Sequence, residues 1–288
     1  MKNYLIVLCL LLVSNLSAQQ WQIASPDGKI QMRIHSGENL GYSVSYNGKT
    51  LVCDSPLGFE FKGEKPMSGG FTLVNTPSME AKSDTWVPVV KNKHGKVKVS
   101  WNEMTLALKE GAGDRRRMDF IVRVYDDGIA FRYQLYGARK IGNRQITSEL
   151  TGFSLPVNAI GWAAKYKRNY TSSQEAEFVP TRLGVLPVDT VVGLPFLVEI
   201  DKQDYIAITE AHIDDYPGFY IGKSDGGQEG SQMLVTKLSP LPGEKEDGVK
   251  ARFCEKKATP WRVIMIGNHP GKFIESELVY SLNPPCAL

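Results

Sequence analysis

Two glutamates stand two positions apart in the stretch "NYTSSQEAEFVPTRL", near the middle of the chain. They are Glu175 and Glu177, and small and polar residues surround them. Carboxylates in such a setting can ligate a metal ion, form half of an acid/base pair or simply face water. A glycosidase pair would need two carboxylates about 5 to 9 Å apart, and the sequence alone does not give that separation. All three roles therefore stay open at this point.

A second polar group occurs in "TEAHIDDYPGFY". If this stretch is a strand, alternation places Glu210, His212 and Asp214 on one side of it, where they could form a metal site or an acid/base set. Their spacing matches no specific signature, and a solvated strand end explains the same residues. The sequence contains no phosphate-loop or H-E-x-x-H signature. The sequence therefore assigns no catalytic residue.

Aromatic residues are scattered along the chain and allow two interpretations. They can fill the core, or they can form a sugar-binding face, because the C–H faces of sugars stack on aromatic rings. The spacing of these residues does not show which face of a strand is exposed to solvent. The residues concerned are Trp86, Trp101, Tyr166, Tyr170, Tyr216, Phe219 and Tyr220.

Charge and composition exclude some classes of protein. The 288 residues carry a formal net charge of +3 and are 42% hydrophobic, which is ordinary for a globular protein. A nucleic-acid-binding domain would be strongly basic or carry a basic stripe, so no nucleic-acid partner is expected. The one dense basic run, Arg115 to Arg117, is interpreted as a solvated hairpin flank.

The N-terminus has the pattern of a secretory signal peptide. Lys2 precedes an apolar run from Leu5 to Val13, and small residues end at Ala18, so residues 1–18 are predicted to be removed. The apolar run is too short for a spanning helix and no second run follows, so we expect a periplasmic or secreted protein without a membrane partner. Three cysteines remain, which allow at most one disulfide: Cys53, Cys254 and Cys286.

Strand periodicity dominates the rest of the chain. Residues alternate in "KIQMRIHS" and "KVKVSWNEMTLAL", and hairpin signals occur at Asn47-Gly48 and Asp127-Gly128. Turn residues recur about every ten positions and no long window has a helical period. Only "FIESELVYSL" is ambiguous between a strand and a helical turn. The pattern predicts an all-β fold, a large antiparallel β-sandwich spanning residues 19–288.

Seven segments, taken in order, resemble the N-terminal domain of glycoside hydrolase family 97. They are "SPDGKIQMRI", "SPLGFEF", "DTWVPV", "YDDGIAFRY", "SSQEAEF", "YIAITEAHIDDYPGFY" and "TPWRVIMIG", the last followed by "SLNPP". No single segment is specific, but their order and spacing cover nearly the whole mature chain. Well-known members of that family are α-glucosidases and α-galactosidases of the Bacteroidetes periplasm.

The resemblance implies a galactose mutarotase-like β-supersandwich that packs on a (β/α)₈ catalytic barrel. The chain ends where that barrel should begin, so the catalytic carboxylates are expected to be missing and activity of this chain alone is uncertain. The family holds a calcium ion, Ca²⁺, in its active site, with one glutamate supplied by the N-terminal domain. The position in "SSQEAEF" that matches this ligand is Glu175.

Three functions follow as hypotheses. The first is a non-catalytic module of a calcium-dependent, exo-acting α-glycosidase for an oligosaccharide or α-glycoside. The second is a stand-alone carbohydrate-binding β-sandwich, which an exposed aromatic pair beside Glu175 would favour. The third is a mutarotase-like enzyme that uses Glu210 and His212. The first hypothesis also predicts an exposed apolar patch near Glu175, where the barrel would dock.

Overall fold

The computed structural model describes residues 19–91, 93–111, 116–137, 143–167 and 174–285. The predicted signal peptide at 1–18 lies outside these ranges, as do Arg115, Tyr170 and Cys286. The strands are β1 (Gln19–Ala24), β2 (Ile30–Ser36), β3 (Leu40–Tyr46), β4 (Lys49–Pro56), β5 (Phe59–Phe61), β6 (Phe71–Leu73), β7 (Ser78–Trp86), β8 (Val97–Glu110), β9 (Arg117–Tyr125), β10 (Gly128–Tyr136), β11 (Arg144–Glu149), β12 (Gly152–Pro156), β13 (Ile160–Lys167), β14 (Phe178–Arg182), β15 (Thr190–Val192), β16 (Phe196–Glu199), β17 (Tyr205–Ala211), β18 (Phe219–Lys223), β19 (Ser231–Leu238), β20 (Ala251–Phe253), β21 (Lys256–Ala258) and β22 (Trp261–Gly267).

Two large antiparallel sheets make up the sandwich. The first sheet runs in the order β7-β8-β9-β10-β22-β17-β16-β13-β14, with β6 also paired to β8 and β21 to β10. The second runs β13-β15-β18-β19-β12-β4-β3-β2-β1. A small third sheet pairs β11 with β5 and β20. The predicted all-β antiparallel sandwich is confirmed.

Strand β13 belongs to both large sheets. Its first half, Ile160 to Trp162, pairs with β16, and its second half, Lys165 to Lys167, pairs with β15 of the other sheet. The strand therefore turns the corner of the sandwich. The segment that carries Glu175 follows this corner and leads into β14, which returns to the first sheet.

The core lies between the two sheets and consists of the alternate residues that each strand turns inward. On β10, Ile129, Phe131, Tyr133 and Leu135 are all buried in it, as alternation requires. The outer face of the first sheet carries a second apolar cluster that includes Trp101 and Trp261. Two short helices cover part of that face, α1 (Gly271–Glu275) and α2 (Leu278–Ser281). The ambiguous stretch "FIESELVYSL" thus contains the end of α1 and all of α2, with a break at Ser276 and Glu277.

The predicted hairpins form where the turn residues indicate. Asn47 and Gly48 have φ values of 49° and 79°, and Tyr46 pairs with Lys49 across them. Positive φ at both turn positions is typical of the two-residue hairpin loop that Asn-Gly favours. Tyr125 pairs with Gly128 in the same way around Asp126 and Asp127.

The basic run is less exposed than its sequence indicates. Arg116 is only 6% exposed, so the interpretation of a solvated flank is wrong for this residue. Its guanidinium donates two hydrogen bonds of 2.6 Å to Glu110 and one of 3.2 Å to Glu64. Glu110 stands on β8 only six positions before Arg116, but Glu64 comes from the loop after β5, and the local sequence does not reveal that contact.

Among the described residues, no helix has the length and apolar character needed to span a bilayer. Within the same ranges, Cys53 and Cys254 form no disulfide bond.

Candidate functional site

A tyrosine pair holds the segment that carries Glu175. Tyr166, on the second half of β13, donates a 2.9 Å hydrogen bond to the backbone carbonyl of Gln174. The side-chain amide of Gln174 donates to the hydroxyl of Tyr220 on β18. The two tyrosine rings meet edge to face with centroids 6.1 Å apart. Gln174 itself has a φ of 66°, so the backbone bends sharply one residue before Glu175.

Glu175 and Glu177 are both exposed, and neither forms an ion pair with another residue in the described ranges. No group of three or more His, Cys, Asp or Glu residues that could hold a metal ion occurs within those ranges either. A single carboxylate supplies at most two of the six to eight oxygens that Ca²⁺ prefers. Glu175 therefore fits the part of one ligand in a shared calcium site, and the described residues do not supply a complete site.

An apolar surface begins immediately beyond Glu175, as the sequence hypothesis predicts. Phe178 is 55% exposed and Val179 is 43% exposed at the start of β14. On the neighbouring strand Trp162, which is 38% exposed, pairs with Pro180 and with Leu197 of β16. Exposed aromatic and aliphatic side chains in one region are typical of an interaction surface.

The apolar surface continues into a groove between the first sheet and the two short helices. The groove has a volume of about 680 Å³, and its walls include Leu197, Met265, Phe273, Val279 and Tyr280. Ile274 and Tyr280 on its rim are 69% and 61% exposed. The helices therefore cover only part of the outer face, and the rest is available to a partner.

The polar group in "TEAHIDDYPGFY" does not come together as alternation predicts. Strand β17 ends at Ala211, and His212 follows with a φ of 56°, so His212 and Asp214 lie in a loop and not on the strand face of Glu210. The prediction of one shared face is wrong because the chain bends at the strand end. His212 and Glu210 do not form the acid/base set that the mutarotase hypothesis needs.

Glu210 belongs instead to a buried ion network between the sheets. Arg262 on β22 is 0% exposed and donates hydrogen bonds of 2.8 and 2.7 Å to the two oxygens of Glu149. It donates a third, of 2.7 Å, to Glu210. The hydroxyls of Thr151 and Tyr216 also donate to Glu149, at 2.9 and 3.2 Å. Every polar atom of the ion pair is thereby partnered, as burial of charge requires.

Burial and charge act against each other in this network. Burial disfavours the charged guanidinium, but Glu149 and Glu210 outweigh it and raise the pKa of Arg262 above its ordinary value. Burial raises the pKa of Glu210, although Arg262 lowers it in part. Arg262 is also held over the ring of Phe219, 4.5 Å from its centroid. These contacts assign Glu210 a structural role.

The sequence interpretation missed the tyrosine clamp, because Tyr166 and Tyr220 are 54 positions apart and approach one another only through the strand order β13-β15-β18. It also missed the role of Arg262, whose strand "WRVIMIG" indicates burial while offering no sign of two carboxylate partners. The signal that could have raised suspicion is a charged residue inside an otherwise apolar buried run.

Comparison with known proteins gives concordant matches. Residues 23–285 match the family described as the glycosyl-hydrolase 97 N-terminal domain. The retaining α-galactosidase of Bacteroides thetaiotaomicron is 25% identical over 298 residues, which cover 97% of this chain and 44% of that protein.

Two of the similar solved structures are of a glycoside hydrolase family 97 enzyme from Pseudoalteromonas sp. strain K8. An arginine-to-lysine variant superposes with a TM-score of 0.81 at 26% identity, and a complex with acarbose gives 0.78 at 25%. Each match covers 93% of this chain and 38% of the other. The chain thus spans less than half the length of these relatives.

Proposed function

Because the chain belongs to the glycosyl-hydrolase 97 N-terminal family, we propose that it is the non-catalytic β-sandwich module of an α-glycosidase. The observation that carries this proposal is the coverage: 97% of this chain aligns with a retaining α-galactosidase, yet only 44% of that protein is matched. The remaining length of such a protein would supply the (β/α)₈ barrel and the catalytic carboxylates. The substrate class would be an oligosaccharide or α-glycoside, with an α-galactoside or an α-glucoside as the two candidates.

The exposed apolar surface supports docking of that barrel. The surface starts at Phe178, three residues beyond Glu175, and extends through Trp162 and Leu197 to the groove beside the helices. A partner seated there would cover aromatic and aliphatic side chains that are otherwise in contact with water. The same partner would lie next to Glu175.

Glu175 would contribute one ligand to a Ca²⁺ ion shared with the barrel. The clamp of Tyr166 and Tyr220 on Gln174 fixes the backbone at the preceding residue, and this supports a positioned carboxylate rather than a freely moving surface charge. When bound, Ca²⁺ would supply positive charge to oxygen ligands from both domains. Assembly of the Ca²⁺ site would then depend on docking of the barrel on this domain, because neither domain alone would supply enough oxygen ligands.

The test uses the protein with its downstream residues included. Glu175→Gln should weaken Ca²⁺ affinity about tenfold or more, and should slow hydrolysis of p-nitrophenyl α-galactoside or α-glucoside at limiting Ca²⁺. Glu177→Gln, two positions away and equally exposed, is the matched control and should leave both quantities unchanged. Equal behaviour of the two variants would contradict the assignment of Glu175.

The second candidate function is a stand-alone carbohydrate-binding domain without hydrolase activity. The observation that favours it is the presence of two exposed aromatic residues beside the segment of Glu175, Phe178 at 55% and Trp162 at 38%. A gene that ends after residue 288, together with binding of an oligosaccharide that Trp162→Ala abolishes, would support this function over the first. The pattern of residues 1–18 favours a periplasmic or secreted location for either one, and cell fractionation would test it.

A further inference from the structure

A polar pocket lies where the end of β19 meets β11 and the loop before β20. Its volume is about 580 Å³, within the range of small-ligand sites. The loop is tied down by backbone hydrogen bonds, from Leu241 to Val249 at 2.9 Å and from Gly248 to Lys245 at 2.8 Å. Arg252 adds a 2.8 Å bond to Glu244. The pocket is therefore preformed.

The most buried cation of this pocket is Lys250, which is only 5% exposed. Its ammonium group donates to the backbone carbonyl of Glu246, and it forms no salt bridge with a residue in the described ranges. An ammonium group has three donors. Lys250 therefore has donors left for a ligand, and burial lowers its pKa, so the desolvated group gains from a further acceptor.

Thr236 contributes a hydroxyl without a partner. It is 4% exposed, lines the pocket, and its Oγ1 forms no hydrogen bond with any residue that the structure describes. A buried hydroxyl left unpaired costs about 1–3 kcal/mol, so its position calls for an acceptor or a donor. A rotation about χ1 exchanges the hydroxyl with the methyl group, which brings Oγ1 to another side of the residue. The hydroxyls of Thr147 and Ser148 stand on the neighbouring strand β11.

The charges that line the pocket cancel. Three cations face three anions, Lys237, Lys245 and Lys250 against Glu60, Glu246 and Asp247. A site for phosphate would carry a surplus of cations, and a site for a metal ion would carry a surplus of carboxylates. A mixed set of ammonium, carboxylate and hydroxyl groups suits a neutral ligand whose hydroxyls both donate and accept hydrogen bonds.

We propose that this pocket binds a neutral sugar unit through Lys250, Asp247 and the hydroxyls of Thr236 and Ser148. The site is separate from Glu175. One of its lining residues, Lys237, pairs in the register of β18 and β19 with Tyr220, the tyrosine that accepts the hydrogen bond of Gln174. The choice of sugars rests on the proposed function, whereas the site itself rests on the pocket.

The test is a nuclear magnetic resonance titration of the 19–288 chain with methyl α-D-galactopyranoside and methyl α-D-glucopyranoside. Binding of at least one sugar should shift the amide signals of Thr236, Lys250 and Ser148. Ser148 is half-buried and Asp247 is exposed, so Ser148→Ala and Asp247→Asn should preserve the fold. Each variant should raise the dissociation constant about fivefold to tenfold. Thr236→Val should weaken binding by a similar factor. Its control is Thr105→Val on β8, outside the pocket, which should leave binding unchanged.

The outcomes separate this proposal from the proposed function. Shifts confined to Gln174 and Glu175, lost in Glu175→Gln but retained in Ser148→Ala, would overturn the pocket and leave the glycosidase module standing. Absence of binding of either sugar at about 50 mM would overturn it as well. Competition by inorganic phosphate for the same signals would overturn the assignment to a neutral ligand. Retained sugar binding in Glu175→Gln, with loss in the pocket variants, would support it.

Discussion

Replacement of Arg262 by methionine should be among the most damaging single changes in this protein. The substitution keeps a long apolar stem but removes three charged hydrogen bonds, two of 2.8 and 2.7 Å to Glu149 and one of 2.7 Å to Glu210. Glu149, only 2% exposed, would then be a buried carboxylate without a cation. Breaking a buried ion pair in this way costs about 3–5 kcal/mol, a large part of the roughly 5–15 kcal/mol that stabilises a typical domain.

The measurement is the midpoint of urea unfolding at pH 7, followed by tryptophan fluorescence. Arg252→Met is the control, because Arg252 also bonds a glutamate at 2.8 Å but is 47% exposed, and its loss should cost less than about 1 kcal/mol. Adding Glu149→Gln to Arg262→Met should recover about 1 kcal/mol or more by removing the stranded charge. A loss below about 1 kcal/mol in Arg262→Met, equal to that of the control, would refute the reasoning.

Three further predictions concern the surface, a turn and pH. Phe178→Ser should reduce self-association of the isolated chain, measured by light scattering, since it removes an exposed ring from the proposed docking surface. Val185→Ser, also at an exposed position, is the control and should change self-association less. Unchanged self-association in Phe178→Ser would count against that surface. Gly48→Ala should lower the free energy of unfolding by about 1 kcal/mol. The φ of 79° is the sole cause, because an added Cβ would meet no atom within 4 Å. An unchanged midpoint of urea unfolding would contradict a cost from backbone strain at this position. Partial burial would raise the pKa of Glu103, but two neighbouring cations lower this pKa below its ordinary value. The stability that Glu103 contributes is therefore present above about pH 4.3 and is lost as the pH falls. Glu103→Gln should flatten the decline of the urea midpoint between about pH 5 and pH 3, and a decline parallel to that of the unchanged protein would contradict this prediction.

The local pattern of the sequence was enough for the strands and their turns. Alternation in "KIQMRIHS" and the Asn47-Gly48 signal depend on neighbours in the chain, so they predict β2 and the hairpin between β3 and β4 correctly. "FIESELVYSL" was ambiguous because a four- or five-residue helix shows scarcely more than one turn of periodicity. What decides it is the outer face of the first sheet, against which Leu278 packs.

The candidate site was only partly accessible to sequence reasoning. The resemblance to the family indicated Glu175, and the apolar surface near it was expected from the same resemblance. The partners of Gln174 and Arg262 could not be predicted, because they are set by the order of strands in the sheets. Arg116 makes a similar point: three consecutive arginines suggest exposure to solvent, yet Arg116 is buried against Glu110, six positions away, and Glu64, 52 positions away.

A strand that belongs to two sheets also limits how the molecule can open. The hydrogen bonds of β13 are divided between β16 on one side of the corner and β15 on the other, so neither sheet can separate without disrupting the strand they share. Local opening at this corner must therefore break pairing in both sheets. The segment that carries Glu175 follows this strand in the chain, so its position depends on the integrity of both sheets.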